Sequence, residues 1–290
     1  MNNRPKFDDL NAENYADFNM TLINKWVADD QYWGAVTSHE DYVTAQNGDW
    51  SITYVDGTEI LVPKEWFAPF LKNNRLDGVN LLGLAAGGGQ QMPILQAFGA
   101  TCTVMDYSDA QLHCEQLVAE REGYDINLVK ADMTKRFPFA DNSFDVIFHP
   151  ISNHFIEDVE HVWRECHRVL TPGGLLLAQV YNPCVYMFAD YDEEQEDAQL
   201  IAKYKLPWNP LRDRALYESY VEPDDDENLT FSHSLEEQLG GQLKAGFMLT
   251  DLREERPKWG GLFSEYMPVA LYTRAVKTTC GGAPRFAVSS

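Results

Sequence analysis

Short apolar runs alternate with stretches of helical periodicity from about residue 79 to the end of the chain. Runs of this kind, four to eight residues long and separated by helical segments, are typical of a parallel sheet buried on both faces. Seven strands are predicted, near 79–84, 101–106, 126–131, 144–149, 174–181, 247–253 and 268–275. We therefore expect an α/β fold of Rossmann-like form, with a seven-stranded, mostly parallel sheet and helices on both faces.

The predicted helices carry clear periodicity and start signals. The clearest amphipathic segment runs from Val159 to Leu170, where apolar residues follow the three- and four-residue spacing of one helix face, and residues 171–174 (Thr-Pro-Gly-Gly) are expected to end it. Ser108, three residues before Gln111, has the pattern of a capping box. The same pattern recurs at Ser234 and predicts a helix ending near Gly246.

Two regions fall outside the alternation of strands and helices. Residues 1–75 are rich in aromatic and polar groups and predict a cap of helices with a hairpin around residues 56 and 57. Residues 183–232 follow a strand and contain two acidic clusters, so we expect an inserted lid at the edge of the sheet where ligands bind. The remaining boundaries are a main domain at 76–276 and a flexible tail at 277–290.

Charge and cysteine usage narrow the classes of partner. The chain has 290 residues, with 23 basic and 45 acidic side chains and a formal net charge of −22. Such a charge opposes binding to nucleic acid and to anionic membranes. The five cysteines are odd in number and form no C-x-x-C pair, so we expect reduced thiols and no metal site. With no secretory leader or membrane span recognised, we expect a cytoplasmic protein with a small-molecule partner; the oligomeric state stays open.

A glycine-rich run at 83–89 follows the first predicted strand, and the second strand ends in Asp106. A strand that enters a glycine-rich bend, followed by a strand ending in a carboxylate, is typical of sites for adenosine-containing cofactors. Met92 stands where the dinucleotide fingerprint G-x-G-x-x-G has its third glycine, which counts against an NAD site.

Further motifs follow in a fixed order. They are Ala-Asp-Met at 131–133, Phe-Pro-Phe-Ala-Asp-Asn-Ser-Phe-Asp at 137–145, and Arg-Val-Leu-Thr-Pro-Gly-Gly at 168–174. In this order the motifs resemble those of the class I S-adenosylmethionine-dependent methyltransferases, in particular the small-molecule type, over about residues 76–276. The glycine-rich run, with Trp33 and residues 38–42 upstream, is also similar to a group of bacterial methyltransferase-like proteins of unassigned substrate.

The resemblance implies S-adenosylmethionine as cofactor and a role for several residues. Asp106 would accept hydrogen bonds from both ribose hydroxyls, since a carboxylate offers two acceptor oxygens. Asp132 would accept from the adenine amino group, between apolar walls formed by Met133 and Tyr107. The methionyl part would lie against the glycine-rich turn and the start of the next helix, at Ala85, Ala86, Gly87, Gly89, Gln90 and Gln91.

Candidates for chemistry and for the acceptor come from strand ends and from the cap. His149 ends the fourth strand, where the family places groups beside the transferred methyl, and imidazole titrates near neutrality; it is the candidate cofactor contact and general base. Asn153 and His154 lie on the next loop as candidate substrate contacts. The cap offers three more, Trp33, His39 and Tyr42.

The first motif departs from the family pattern. An acidic residue usually stands two before the first glycine, and here those positions hold Gly83 and Ala85. The acidic residue is a usual partner for the backbone of the turn or for the methionyl ammonium. Three hypotheses stay open: methyl transfer to a small-molecule acceptor, cofactor binding without catalysis in a regulatory protein, and an NAD-type oxidoreductase.

Overall fold

A seven-stranded, mostly parallel sheet forms the centre of the molecule. The computed structural model describes residues 9–29, 35–52, 62–188, 199–220 and 228–278. The strands are β1 Asn80–Leu84, β2 Thr101–Asp106, β3 Asn127–Lys130, β4 Phe144–His149, β5 Leu170–Tyr181, β6 Phe247–Glu255 and β7 Ala270–Lys277. Their spatial order is β3-β2-β1-β4-β5-β7-β6, and only β7 runs antiparallel to its neighbours. The predicted fold class is confirmed.

Helices cover both faces of this sheet and part of one edge. Within the described ranges the α-helices are α1 Tyr15–Ala28, α2 His39–Gln46, α3 Gln91–Ala97, α4 Asp109–Glu122, α5 Val159–Val169, α6 Arg214–Tyr220, α7 Gly241–Ala245 and α8 Gly261–Tyr266. A π-helical turn at Glu236–Gly240 precedes α7. The capping box at Ser234 is formed, since Ser234 exchanges hydrogen bonds with Glu237. At Ser108 only half of the predicted box is formed: its Oγ accepts from the backbone N–H of Gln111, while its own N–H donates to Asp106 Oδ1.

Helix α5 ends earlier than the sequence pattern predicted. It ends at Val169, and residues 170–174 already belong to β5. The expected strand start at 174 was therefore wrong. The reason is pairing: Leu170 lies opposite Phe144 in β4, and the carbonyl of Val169 accepts from the N–H of Ser143 at 2.7 Å. The chain enters the sheet directly from the last turn of the helix.

The two faces of the sheet pack into separate apolar clusters. Successive strand residues point to opposite faces, so Leu81 packs with Phe98 on the α3 side while Leu82 packs with Trp163 of α5 on the other. Because helices cover both faces, the central strands are apolar along almost their whole length. This explains why the strands appear in the sequence as continuous apolar runs.

A third cluster lies apart from the sheet and joins α1 to the segment inserted after β5. From α1 and the residues before it, the cluster contains Leu10, Tyr15, Phe18 and Leu22. From the inserted segment it contains Tyr186, Tyr204, Trp208, Tyr217, Leu229 and Phe231. The backbone N–H of Glu157 donates to the Tyr15 hydroxyl at 3.0 Å, which ties the cluster to the loop after β4. Helix α1 and the described part of the insertion therefore form one packed unit.

The rest of the predicted cap belongs to the sheet core. Tyr42 of α2 and Trp66 and Phe67 of the 3₁₀ segment Lys64–Phe70 pack in the same cluster as Leu81. The hairpin expected around residues 56 and 57, residue Trp33 and the tail from 279 onward lie outside the described residues. In the ranges that are described, no helix combines the length and apolar character needed to cross a membrane.

Candidate active site

A cavity of about 540 Å³ opens at the carboxyl ends of the parallel strands. The chain runs from β1 through β2 to β3 in one direction and from β4 to β5 in the other, so the order reverses between β1 and β4. Ligands of doubly wound sheets bind at such a reversal. The cavity reaches from Asp106 at the end of β2 to Tyr181 at the end of β5, about three strand spacings of ~4.8 Å.

The residues along one side of the cavity, at the ends of β1, β2 and β3, form what we call the glycine wall. Those that line the cavity are Ala85, Gly87, Gln90, Gln91, Met105, Asp106, Tyr107, Ser108, Gln111, Ala131, Asp132 and Met133. Eight of the predicted cofactor contacts are among them. Ala86, Gly89 and His149 of the same prediction do not line the cavity.

Hydrogen bonds hold the turn at 85–89 in place before any ligand arrives. Four of its five N–H groups donate within the protein, from Ala85 to Met105 O (2.8 Å), from Gly87 to Asp106 Oδ2 (3.1 Å), from Gly88 to Gln111 O (3.0 Å) and from Gly89 to Glu115 Oε1 (2.8 Å). A turn whose donors are satisfied in this way is fixed in shape. Its contribution to a ligand is close approach of the backbone rather than free N–H groups.

Gly87 is a position of the turn where a side chain would collide with neighbouring residues of β2 and α4. A Cβ built there would lie 2.8 Å from Gln111 Cβ and 3.0 Å from Asp106 Oδ2. Ala85, in contrast, has φ of +47°, a left-handed conformation that costs an L-residue with a side chain about 1 kcal/mol. The turn thus carries strain at the position where the family pattern has its first glycine.

Asp106 is half-buried at the end of β2 and faces the cavity. Oδ1 accepts from the N–H of Ser108 at 2.9 Å, and Oδ2 accepts from that of Gly87 at 3.1 Å. Burial raises the pKa of Asp106 above its usual value, and these backbone hydrogen bonds oppose the rise. Because a carboxylate oxygen accepts two hydrogen bonds, each oxygen retains capacity for a ligand hydroxyl.

Asp132 and Met133 line the same cavity as Asp106. Asp132 uses both oxygens locally, accepting from the N–H of Thr134 through Oδ1 and from its hydroxyl through Oδ2, each at 2.8 Å. This fixes the carboxylate at the cavity surface. One lone pair on each oxygen remains for a donor such as an exocyclic amine.

Helix α1 covers the cavity. The sequence predicted a cap of helices at residues 1–75 but did not identify the residues of α1 that line the cavity. Its lining residues, Ala16, Asn19, Met20, Ile23 and Trp26, follow the spacing of a single helix face. That spacing was readable from the sequence and would have identified these contacts. None of the described residues of the inserted segment at 183–232 lines the cavity, so these residues support α1 from behind instead of covering the ligand directly.

Polar contacts fasten α1 at both sides of the cavity. The Tyr107 hydroxyl donates to Asp17, which raises the pKa of Tyr107 to about 12. Asn19 is buried, donates to the carbonyls of Phe155 (3.2 Å) and Leu229 (2.9 Å), and accepts from the N–H of Leu229 at 2.8 Å. The helix therefore joins the glycine wall to the loop after β4.

The opposite side of the cavity, which we call the aromatic wall, consists of Phe155, Tyr181, Lys258 and Trp259. The rings of Tyr181 and Trp259 meet edge to face at 6.1 Å. Burial raises the pKa of Tyr181 to about 12, so its hydroxyl keeps its proton at neutral pH. Sequence reasoning missed this wall, although the ends of β5 and β6 meet the same edge as the glycine-rich turn.

His149, the predicted base, lies beneath the cavity rather than on its surface. Its side chain has 0% exposure, Nδ1 donates to Leu84 O, and Nε2 lies 2.8 Å from Asn153 Oδ1. The ring packs edge-on against Trp163, on the face of β4 that also carries Ile147. Burial lowers the pKa of His149. Both nitrogens are engaged, so the structure brings no proton acceptor from His149 to the ligand.

The remaining substrate candidates are also separated from the cavity. Asn153 is buried against His149, and His154 packs behind Phe155 and Tyr181, where burial lowers its pKa to about 3. Tyr42 stacks on Tyr124 at 5.5 Å, in the core under α3 and α4. His39 is exposed and lies 2.8 Å from Glu122. The structure does not bring these four residues to the ligand.

Comparison with known proteins agrees with this geometry. Residues 82–178 match the family described as "Methyltransferase domain". The uncharacterized methyltransferase YbaJ of Bacillus subtilis is 37% identical over 259 residues, covering 89% of this chain and 97% of that protein. The sterol 24-C-methyltransferase ERG6B of Gibberella zeae is 33% identical over 114 residues, 36% of this chain and 30% of that protein. An S-adenosylmethionine-dependent methyltransferase from Mesorhizobium loti has the same fold, with a TM-score of 0.55 at 21% identity, covering 74% of this chain and 98% of that one.

Proposed function

Since the chain belongs to the class I S-adenosylmethionine-dependent methyltransferases, we propose that it methylates a small, mainly apolar acceptor held against the aromatic wall. One observation carries the proposal: the cavity continues past the glycine wall to Tyr181 and Trp259 under the cover of α1. An adenosine cofactor bound at Asp106 would leave that part for a second ligand.

The residues of the glycine wall fit the cofactor. Asp106 has acceptor capacity for the two ribose hydroxyls, and Asp132 has it for the adenine amino group. A Cβ at Gly87 would press on Asp106 Oδ2 and Gln111, so the glycine allows the Asp106 carboxylate to keep its place at the cavity. The two carboxylates also favour a ligand with net positive charge, because only one cation, Lys258, is among the described residues that line the cavity.

When bound, S-adenosylmethionine supplies an activated methyl group on a positively charged sulfur. The work left to the chain is to align the acceptor with that methyl group and to exclude water. Alignment of two bound reactants is worth about 7–11 kcal/mol in favourable systems. Helix α1, anchored through Asn19 and Tyr107, provides the enclosed surface that this alignment needs.

Apart from Asp106 and Asp132, which are assigned to the cofactor, the described residues that line the cavity offer little general base capacity. His149 lies beneath it, and Tyr181 is held in its protonated form by burial. The proposed mechanism therefore depends on proximity, with the acceptor positioned by apolar contacts and by the Tyr181 hydroxyl as a hydrogen-bond donor.

Size, charge and one relative support a small apolar acceptor. The walls beyond Asp106 include Ile151, Phe155 and Trp259. The cofactor takes part of the cavity of about 540 Å³, so the space that remains suits a small molecule. The net charge of −22 opposes a polyanion. The ERG6B relative, which is named for a sterol, has an acceptor of this class.

The acceptor class can be tested with methyl-radiolabelled S-adenosylmethionine. Purified protein is incubated separately with low-molecular-weight, protein and RNA fractions of a cell extract. We expect label in a solvent-extractable small molecule, and loss of that label in an Asp106→Asn control. Label in acid-precipitable protein or RNA would contradict the proposal. Tight binding of S-adenosylhomocysteine without any labelled product would favour the regulatory alternative.

A further inference from the structure

A buried carboxyl group lies directly beneath the glycine-rich turn. Glu115, in the middle of α4, has 0% exposure. Its Oε1 accepts from the N–H of Gly89 at 2.8 Å, while Oε2 is buried without a hydrogen-bond partner among the described residues. An unsatisfied buried carboxyl oxygen costs free energy, so its presence under a ligand-binding turn needs a reason.

The end of β1 supplies no carboxylate to this turn, since positions 83 and 85 hold glycine and alanine. A Cβ built at Gly83 would lie 2.5 Å from Met92 Sδ and 2.9 Å from Met92 Cε. The thioether of Met92 thus fills the space that a side chain at 83 would need. Position 83, where the family pattern has its acidic residue, holds no carboxyl group, and the turn takes its carboxyl contacts from Asp106 of β2 and Glu115 of α4.

The charges around Glu115 are negative or neutral. Asp106 faces it from β2, Cys114 precedes it on α4, and Cys102 and Tyr124 lie close enough to interact with it electrostatically. Within the described ranges no cation pairs with Glu115. Burial, reinforced by Asp106, raises the pKa of Glu115 to about 8, against the opposing hydrogen bond from Gly89.

A carboxyl group is not required for the hydrogen bond alone. A glutamine carbonyl would accept from the Gly89 N–H equally well and would carry no ionisation cost. What a carboxyl adds is negative charge close to the turn, and that charge is stabilised only when a cation comes near.

We propose that Glu115 is a positioning residue for the cofactor: it fixes the turn through Gly89 and places negative charge beneath the cationic methionyl end, replacing the acidic residue absent at position 83. The inference rests on the cofactor and is independent of the acceptor proposed above. Approach of the cationic cofactor lowers the pKa of Glu115, so binding releases a proton at near-neutral pH.

The test compares Glu115→Gln, which keeps the acceptor for Gly89, with Glu115→Leu, which removes it. Glu120→Gln serves as matched control, because Glu120 is exposed on the same helix and the substitution makes the same charge change. Dissociation constants for S-adenosylmethionine, which carries the sulfonium charge that S-adenosylhomocysteine lacks, are measured by calorimetry without acceptor at pH 6.5 and 8.5. We compare the dissociation constant of the glutamine variant with that of wild type at each pH. In this ratio, any effect of protonation of the ligand itself cancels.

We expect that ratio to rise from near one at pH 6.5 to about tenfold at pH 8.5, since one unit of pKa shift on binding corresponds to a tenfold change. Glu115→Leu should bind more weakly at both pH values, and Glu120→Gln should match wild type. A ratio that stays at one, or variants that change only the unfolding temperature, would overturn the proposal. If wild type itself fails to bind, the cofactor assignment fails instead. If Glu115→Leu does not fold, the comparison of Glu115→Gln with wild type is sufficient to test the proposal.

Discussion

The two walls of the cavity are built in different ways. On the glycine wall, four of the five backbone donors at residues 85–89 are satisfied inside the protein, and the carboxylates of Asp106 and Asp132 are each held by neighbouring N–H groups. On the aromatic wall, Trp259 is 38% exposed and meets Tyr181 through ring edges. The first wall is suited to one fixed ligand. The second can adapt to an acceptor by side-chain movement.

The largest expected effect is a pH dependence of the free energy of unfolding that arises from Glu115, beneath the glycine wall. The pKa of Glu115 is about 8 in the folded protein and 4.5 ordinarily, so between these values the unfolded chain loses a proton that the folded chain keeps. Stability attributable to this site is therefore full below pH 4.5 and lost as pH rises to 8, by about 1.4 kcal/mol per pH unit.

Glu115→Gln should remove this dependence in the protein without ligand. Urea unfolding is measured at pH 5, 6.5 and 8. The free energy of unfolding of the glutamine variant, relative to that of wild type, should increase at each step of pH. A constant difference across the three pH values would show that the carboxyl group is not buried as described.

The next effect concerns the helix that covers both walls. Asn19→Leu would leave the carbonyls of Phe155 and Leu229 and the N–H of Leu229 without the amide that pairs them. We expect a loss of about 3 kcal/mol, because buried polar groups would be unpaired. Hydrogen exchange should increase over residues 15–28 first. Unchanged exchange in α1 would refute its role as an anchored cover.

A smaller effect separates the two walls directly. Trp259→Ala should raise the KM for the acceptor about tenfold, as expected for loss of ~1.4 kcal/mol of aromatic contact. The KM for the cofactor should stay within a factor of two. Steady-state kinetics with the acceptor found in the labelling experiment gives both values. If only the KM for the cofactor rises, the aromatic wall contacts the cofactor and not the acceptor, which would contradict the assignment.

The smallest expected effect is at the strained residue of the turn. Ala85 has φ of +47°, which glycine adopts freely. Ala85→Gly should stabilise the protein by about 0.5 kcal/mol, the relief of strain less the added freedom of the unfolded chain. Chemical denaturation measures the change, with Ala119→Gly in α4, four residues before the C-cap Gly123, as a control that should destabilise by about 1 kcal/mol. Destabilisation at both positions would show that Ala85 is unstrained.

The glycine wall was largely predictable because its residues lie in short motifs next to strands. Asp106, Asp132 and the turn follow apolar runs directly, and a parallel sheet brings the ends of those runs to one edge. His149 met the same criterion, yet strand alternation turns its side chain towards Trp163 and away from the cavity. A position at the end of a strand predicts that a residue lies at the ligand-binding edge of the sheet. The pleat of the strand determines the face to which its side chain points.

The aromatic wall and Glu115 depend on contacts between distant parts of the chain. Lys258 and Trp259 reach the cavity only because β6 runs parallel to β5 through β7, an order that local patterns do not specify. Glu115 did leave a signal: it falls between Leu112 and Val118 on the buried stripe of α4, where a carboxylate is out of place. A charged residue on an apolar helix face pointed to a role in the interior.

Calorimetric titration of S-adenosylhomocysteine into Asp106→Asn and Trp259→Ala, side by side with wild type, tests the division of the cavity most directly. The asparagine variant loses charge-assisted hydrogen bonds to the ribose, so its affinity should fall by about 2 to 3 kcal/mol, which is roughly 30- to 150-fold. The Trp259→Ala variant should bind within a factor of two of wild type. Equal losses in the two variants, or an Asp106→Asn variant that binds like wild type, would contradict the assignment of the glycine wall to the cofactor.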